Sequence, residues 1–148
     1  MHDHRSVLIA ATAAAAARLE RMLGEGIRFI AVHTIADAVA ALKREQSSIA
    51  LILSSFAFDE SRMLDFLAAV KADAAMRAVP FVCFRISHSV LAQHAIDRLR
   101  LVCEVLGAAD FIDFAALEKE RGIAAAQSQF RTAVMKYLNA RSPERLRS

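Results

Sequence analysis

The chain has 148 residues, of which 56% are apolar and 24% charged, and it carries a net charge of +3. Thirty-one residues are alanine, so the larger apolar side chains make up only about a third of the chain, an ordinary core for one domain. With four glycines and two prolines, long disordered tails, collagen-like repeats and low-complexity linkers are excluded, and a chain of this size buries roughly two-thirds of its unfolded surface without help from disulfides or a metal.

The first predicted strand is the continuous apolar run Val7-Leu8-Ile9-Ala10, the pattern of a strand buried on both faces. An alanine-rich helix follows through Leu19, Met22 and Leu23, and Gly24 and Gly26 stop it. Together with MHDHR, this opening stretch mimics a secretory signal. It is read as part of the fold, because it is alanine-heavy, too short to span a membrane, and supplies a strand and most of a helix. The second strand is Ile27 to Val32. Thr34 then caps a helix whose first turn carries Asp37 and whose buried stripe is Ile35, Val39 and Leu42.

Ile49 to Leu53 is the third strand, and the helix after it places Met63, Leu64, Leu67 and Val70 at helical spacing behind a cap at Asp59 or Ser61. Pro80 opens the fourth strand, Phe81 to Phe84, at a position where a missing N–H does least harm. A long fourth helix runs from about Ser89 to Leu106 and ends at Gly107. Asp110 to Asp113 is a short fifth strand, and the final helix contains Phe130, Val134, Tyr137 and Leu138. Strand and helix alternating five times predict a doubly wound α/β fold, a parallel sheet covered by helices on both faces with right-handed crossovers. Residues 1–148 read as one domain with a core over about 6–140 and a short tail over 141–148, leaving no room for an attached output domain.

In an open parallel sheet, ligands sit beyond the carboxyl ends of the strands. Those ends carry Ala11 and Thr12, Ser54 and Ser55, Arg85, and Asp113 with Phe114. GIRFIAVHTIADAVAALKREQSSIALILSS (26–55), LDFLAAVKADAAMRAVPFVCF (64–84) and GAADFIDF (107–114) together resemble the receiver domain of bacterial response regulators. The most specific pieces are the helix end leading through Pro80 into a buried strand and the approach to the last strand. The resemblance implies a flavodoxin-like (βα)5 fold with strand order 2-1-3-4-5.

It also implies a phosphoryl-accepting aspartate beside Mg²⁺, and the positions that would carry this chemistry depart from it. The acidic pair falls on Ala11 and Thr12, the phosphoacceptor on Ser54 or Ser55, the strand-four hydroxyl on Arg85, and the lysine and proline on Phe114 and Ala115. The switch aromatic alone is kept, as Phe111. A hard cation needs several oxygen anions, so no Mg²⁺ and no cofactor are expected, and a serine without a neighbouring base is a poor nucleophile. Asp59 reads as a helix cap before it reads as a displaced acid. Arg85 reads as pairing with Asp59 or Asp113, the other reading being an anion or small-molecule sensor built from Ser54, Ser55 and Arg85.

The remaining reactive residues add no site. His2 and His4 lie at a terminus, His33 reads as a surface residue, and His88 and His94 are about 240° apart around a helix. No glycine-rich phosphate loop or Ser-His-Asp pattern occurs, so an enzyme is not expected. Cys83 and Cys103 read as reduced core thiols of a cytoplasmic protein. Lys136, Arg141, Arg145 and Arg147 read as a solvated helix end and tail, so neither nucleic acid nor membrane is an expected partner.

The fourth predicted helix is longer than the resemblance implies. One face of it, through Ile96, Leu99, Val102, Cys103 and Leu106, points to the core, and a second apolar strip of Val90, Leu101 and Val105 runs beside His94 and Arg98. That strip is the expected contact for a protein partner, a homodimer included. The resulting expectation is a phosphorylation-independent interaction module of receiver type.

Overall fold

The computed structural model describes residues 5–86 and 93–140. Five strands, β1 (Ser6–Ala10), β2 (Arg28–Val32), β3 (Ile49–Ser55), β4 (Phe81–Arg85) and β5 (Asp110–Asp113), form one parallel sheet in the order β2-β1-β3-β4-β5. This is the strand order that the resemblance to a receiver domain implied. The helices are α1 (Ala13–Leu23), α2 (Ile35–Arg44), the single turn α3 (Phe58–Ser61), α4 (Met63–Ala72), α5 (Gln93–Val105), α6 (Phe114–Arg121) and α7 (Ile123–Ala140).

The all-apolar runs form the inner strands because both of their faces are covered. Every residue of β1, β3 and β4 is buried, whereas β2, at the edge, exposes Arg28 and Ala31. On one face Leu8, Ile52, Phe81 and Cys83 pack under α2, α4 and α5, with Phe58, Phe66 and Phe81 in a tilted chain at 5.3 and 5.4 Å between centroids. On the other, Val7, Ile9, Leu53 and Phe84 meet α1 and α7, where Phe130 stands edge-on to both Phe84 and Phe114 at 5.9 Å.

Several local features differ from expectation. The last helical segment is two helices, because Gly122 takes φ +87° and breaks the chain between α6 and α7. In α2 the fully buried stripe is Ala38, Ala41 and Leu42, with Ile35 and Val39 only half-buried. Close approach to the sheet favours the small side chains there. The fourth predicted helix is α5, whose described part begins at Gln93 and whose end is set by Gly107 at φ +101°. Its expected start, with Val90, lies outside the described residues.

The expected cap of the third predicted helix is the largest difference. Neither Asp59 nor Ser61 caps α4, which has no side-chain cap. Asp59, Glu60 and Ser61 instead all have positive φ (46°, 57° and 65°), a left-handed turn of three non-glycine residues. Such geometry costs roughly 1–2 kcal/mol per residue. Phe58, fully buried, anchors the turn from one side. From within it, Asp59 Oδ2 accepts the backbone N–H of Ile35 at 2.9 Å, so this carboxylate caps α2, 24 residues earlier in the chain, beside Thr34.

These roles separate under substitution. Glu60→Gly relieves the backbone while losing little else, and chemical denaturation should show a gain of about 0.5–1 kcal/mol after the greater flexibility of the unfolded chain is counted. Asp59→Gly relieves the same strain but removes the α2 cap, worth about 1 kcal/mol, and should show no net gain.

Candidate functional site at the carboxyl edge of the sheet

The carboxyl ends of β1, β3, β4 and β5 bring the expected residues to one edge, though not into one open pocket. Ala10 pairs with Ser54, Ser54 with Cys83, Ser55 with Phe84, and Arg85 with Asp113. Ala11, just beyond β1, is buried, and its carbonyl is bound by His33 Nδ1 at 2.7 Å. A ring nitrogen that meets a carbonyl must carry the proton, so His33, exposed as the sequence reading expected, also fastens the ends of β1 and β2 together. Thr12 caps α1, accepting the N–H of Ala15 at 3.2 Å.

The two serines lie inside β3, which runs two residues past its expected end at Leu53, and both are buried. Ser54 Oγ donates to the Ser55 carbonyl at 3.4 Å, and Ser55 Oγ accepts the N–H of Ala57 at 3.1 Å. Both hydroxyls are engaged by the backbone at the turn out of β3 and not by a base, as serines at strand ends commonly are.

Arg85 and Asp113 dominate the edge. Arg85 Nη1 donates to both carboxylate oxygens of Asp113, at 2.9 and 3.1 Å, and each residue is only 8% exposed. Asp113 was one of the two partners expected for Arg85. The other, Asp59, meets Arg62 at 3.8 Å and the N–H of Ile35. Asp113 is also the N-cap of α6, where its Oδ1 accepts the N–H of Ala116 at 3.1 Å. The sequence carries a signal for this cap, an acid followed, after Phe114, by Ala115-Ala116-Leu117-Glu118-Lys119-Glu120-Arg121, a run of strong helix formers. The guanidinium needed for an anion sensor therefore faces a carboxylate instead.

Phe114 and Ala115, which the resemblance places at a lysine and a proline, turn inward. Phe114 is fully buried against Phe130, and the Arg18 guanidinium lies 5.1 Å from its ring centre. Phe111 is also buried, and it is held by a residue to which the sequence alone assigns no role. The Arg100 guanidinium lies 5.0 Å from the centre of its ring and donates to its backbone carbonyl at 2.7 Å. Among the described residues no three His, Cys, Asp or Glu side chains converge as a metal site would require, and no helix is long and apolar enough to cross a membrane.

On α5 the structure places His94, Leu101 and Val105 outward, with Leu101 59% and Val105 76% exposed. Ile96 and Cys103 face the core as expected.

The sequence matches no protein-family model and no curated protein. Solved structures do resemble the fold. One is the phosphorylated cyanobacterial phytochrome response regulator RcpA, with TM-score 0.68 and 18% identity over 94% of this chain and 96% of that one. A second is a response regulator in a Mn²⁺-bound form, with TM-score 0.65 and 18% identity over 86% and 90% of the two chains. A third is a response regulator receiver domain from Rhodospirillum rubrum, with TM-score 0.65 and 18% identity over 88% and 94%. The chain therefore has the fold of a response-regulator receiver.

Because the Arg85–Asp113 pair is buried, removing one partner leaves an uncompensated charge. Arg85→Met or Asp113→Ala alone should cost about 3–5 kcal/mol in thermal or chemical unfolding. The double variant Arg85→Met/Asp113→Asn, which retains an α6 cap, should recover most of that loss.

Proposed function

We propose that this chain is a phosphorylation-independent, non-catalytic protein-interaction module of receiver type, acting in the cytoplasm in bacterial signalling. The observation that carries the reading is the ion pair between Arg85 and Asp113, which sits where the resemblance implies a phosphoryl-binding hydroxyl and its surroundings. A Mg²⁺ ion needs several free oxygen anions. At this edge Asp113 is bonded to Arg85 and capping α6, and Asp59 is bonded to Ile35 N–H and near Arg62. The hydroxyls of Ser54 and Ser55 face backbone groups and not a base that would activate them. RcpA is phosphorylated and another structural neighbour binds Mn²⁺. In this chain the carboxyl edge of the sheet joins strands to helices.

Docking then falls to a surface independent of that edge. His94, Leu101 and Val105 are spaced by seven and four residues, so they share one side of α5. Two exposed branched aliphatics one turn apart, flanked by a histidine, suit the margin of a protein contact. A second copy of the chain is the partner to test first. Nucleic acid and membrane are not proposed as partners.

Two measurements test the reading. Amide chemical shifts should stay unchanged on adding Mg²⁺ with beryllofluoride, whereas metal-dependent shifts at Ser54, Ser55 or Arg85 would overturn phosphorylation independence. Phosphate without metal should likewise give no saturable shift. By light scattering the wild-type chain should be a dimer and Leu101→Glu a folded monomer. An unchanged mass for the variant would remove α5 as the contact.

A further inference from the structure

α1 and α7 lie over the same face of the sheet, with Leu19 and Leu23 of α1 in one buried cluster with Ala126 and Phe130 of α7. A row of cations runs along the rim of that contact. Arg18 and Arg21 are three residues apart on α1 and, with Met22 and with Gln127 of α7, line a cleft of about 270 Å³. Three residues further on is Gly24, and Arg131 of α7 reaches it, its Nη2 standing 4.0 Å from where a side chain on Gly24 would begin. Three guanidiniums are thereby keyed to positions 18, 21 and 24, successive places on α1 that stand roughly 5–6 Å apart.

Folding accounts for only part of this row. Arg18 meets Glu118 at 3.4 Å and lies 5.1 Å from the centre of the Phe114 ring, so its guanidinium is held in place while a third of the side chain stays exposed. Arg21 suits the dipole at the end of α1. Among the described residues, however, Arg21 and Arg131 have neither an ion pair nor a side-chain hydrogen bond, both are exposed, and no acid lines the cleft. Like charges one turn apart repel, and Glu118 offsets Arg18 alone.

We propose that the α1–α7 cleft docks an acidic helix of a partner protein, whose carboxylates meet Arg21 and Arg131 while Arg18 and the Gln127 amide supply further donors. Carboxylates three or four residues apart recur about once per turn of a helix, the interval at which the cations are set along α1. A planar guanidinium offers each carboxylate a two-pronged donor. Arg18, already fixed by Phe114 and Glu118, loses little freedom on binding. Met22, half-buried in the cleft, gives the partner an apolar contact between the charges. Glu20 and Glu25, both exposed, adjoin Arg21 and Gly24 in the chain and would repel an unbroken phosphate backbone, whereas a helix can turn neutral residues toward them. This surface is separate from the sheet edge and from Leu101 and Val105 on α5, and its test is independent of both.

The folded chain is followed by amide chemical shifts at low salt while an alanine-based helical peptide with glutamate at every fourth position is added. Saturable shifts should appear at Arg18, Arg21, Met22, Gln127 and Arg131 and fade as salt is raised. The same peptide with glutamine in place of glutamate should leave those amides unmoved. Arg21→Gln/Arg131→Gln should unfold at the wild-type temperature and bind the acidic peptide about tenfold more weakly, the combined loss of two exposed ion pairs. No saturable shift with the acidic peptide, equal shifts with the glutamine peptide, or undiminished binding by the folded double variant would overturn the proposal. So would citrate, inorganic phosphate or a single-stranded oligonucleotide saturating the same amides more tightly than the peptide, since the cleft would then hold a small anion or a nucleic acid. If the double variant does not fold, the glutamine peptide decides.

Discussion

A parallel sheet covered on both faces gives its inner strands no solvated side, and most of the molecule's organisation follows from that constraint. β1, β3 and β4 must be apolar throughout their middles, so polar groups collect where the strands end. Groups at the ends must still be satisfied as the chain leaves the sheet for a helix. Each solution here is local: Thr12 caps α1, Thr34 and Asp59 serve α2, Ser55 holds the turn out of β3, and Asp113 caps α6. The same positions are where an open α/β sheet would place chemistry. In this chain they are occupied by the requirements of folding.

The buried ion pair is the costliest of these arrangements and the most informative. A guanidinium at 8% exposure is tolerable only with a well-placed carboxylate. Asp113 supplies two acceptor contacts to one nitrogen and still reaches the first turn of α6. The end of β4, the end of β5 and the start of α6 thereby share one electrostatic contact. Phe114, the next residue, is directed into the opposite core, where Phe130 fixes it from α7. Phe111 is secured in turn by Arg100 from α5.

The strands were legible because run length reports burial directly: Val7 to Ala10, Ile49 to Leu53 and Phe81 to Phe84 have no polar residue to expose, whereas their order in the sheet followed only from the resemblance to a receiver domain. The edge residues were legible as positions, and Arg85 as a cation facing either Asp59 or Asp113, but only the structure selects Asp113. Three features were hidden. The left-handed turn at Asp59, Glu60 and Ser61 carries no glycine, the residue that ordinarily marks such geometry. Arg100 over Phe111 joins residues on two elements whose facing sides no periodicity specifies. Cys83 and Cys103 each read as core thiols, and only the docking of α5 on the sheet reveals that both belong to one buried cluster.

Asp59 sits in the crossover that leaves β3, yet its carboxylate completes the first turn of the helix that leaves β2. The two crossovers are thereby one mechanical unit. Straightening the turn after β3 withdraws an acceptor from Ile35, and fraying the start of α2 removes the contact that helps hold Asp59 left-handed. A single carboxylate thus ties the crossover after β3 to the first turn of the helix that follows the edge strand β2, past the intervening strand β1.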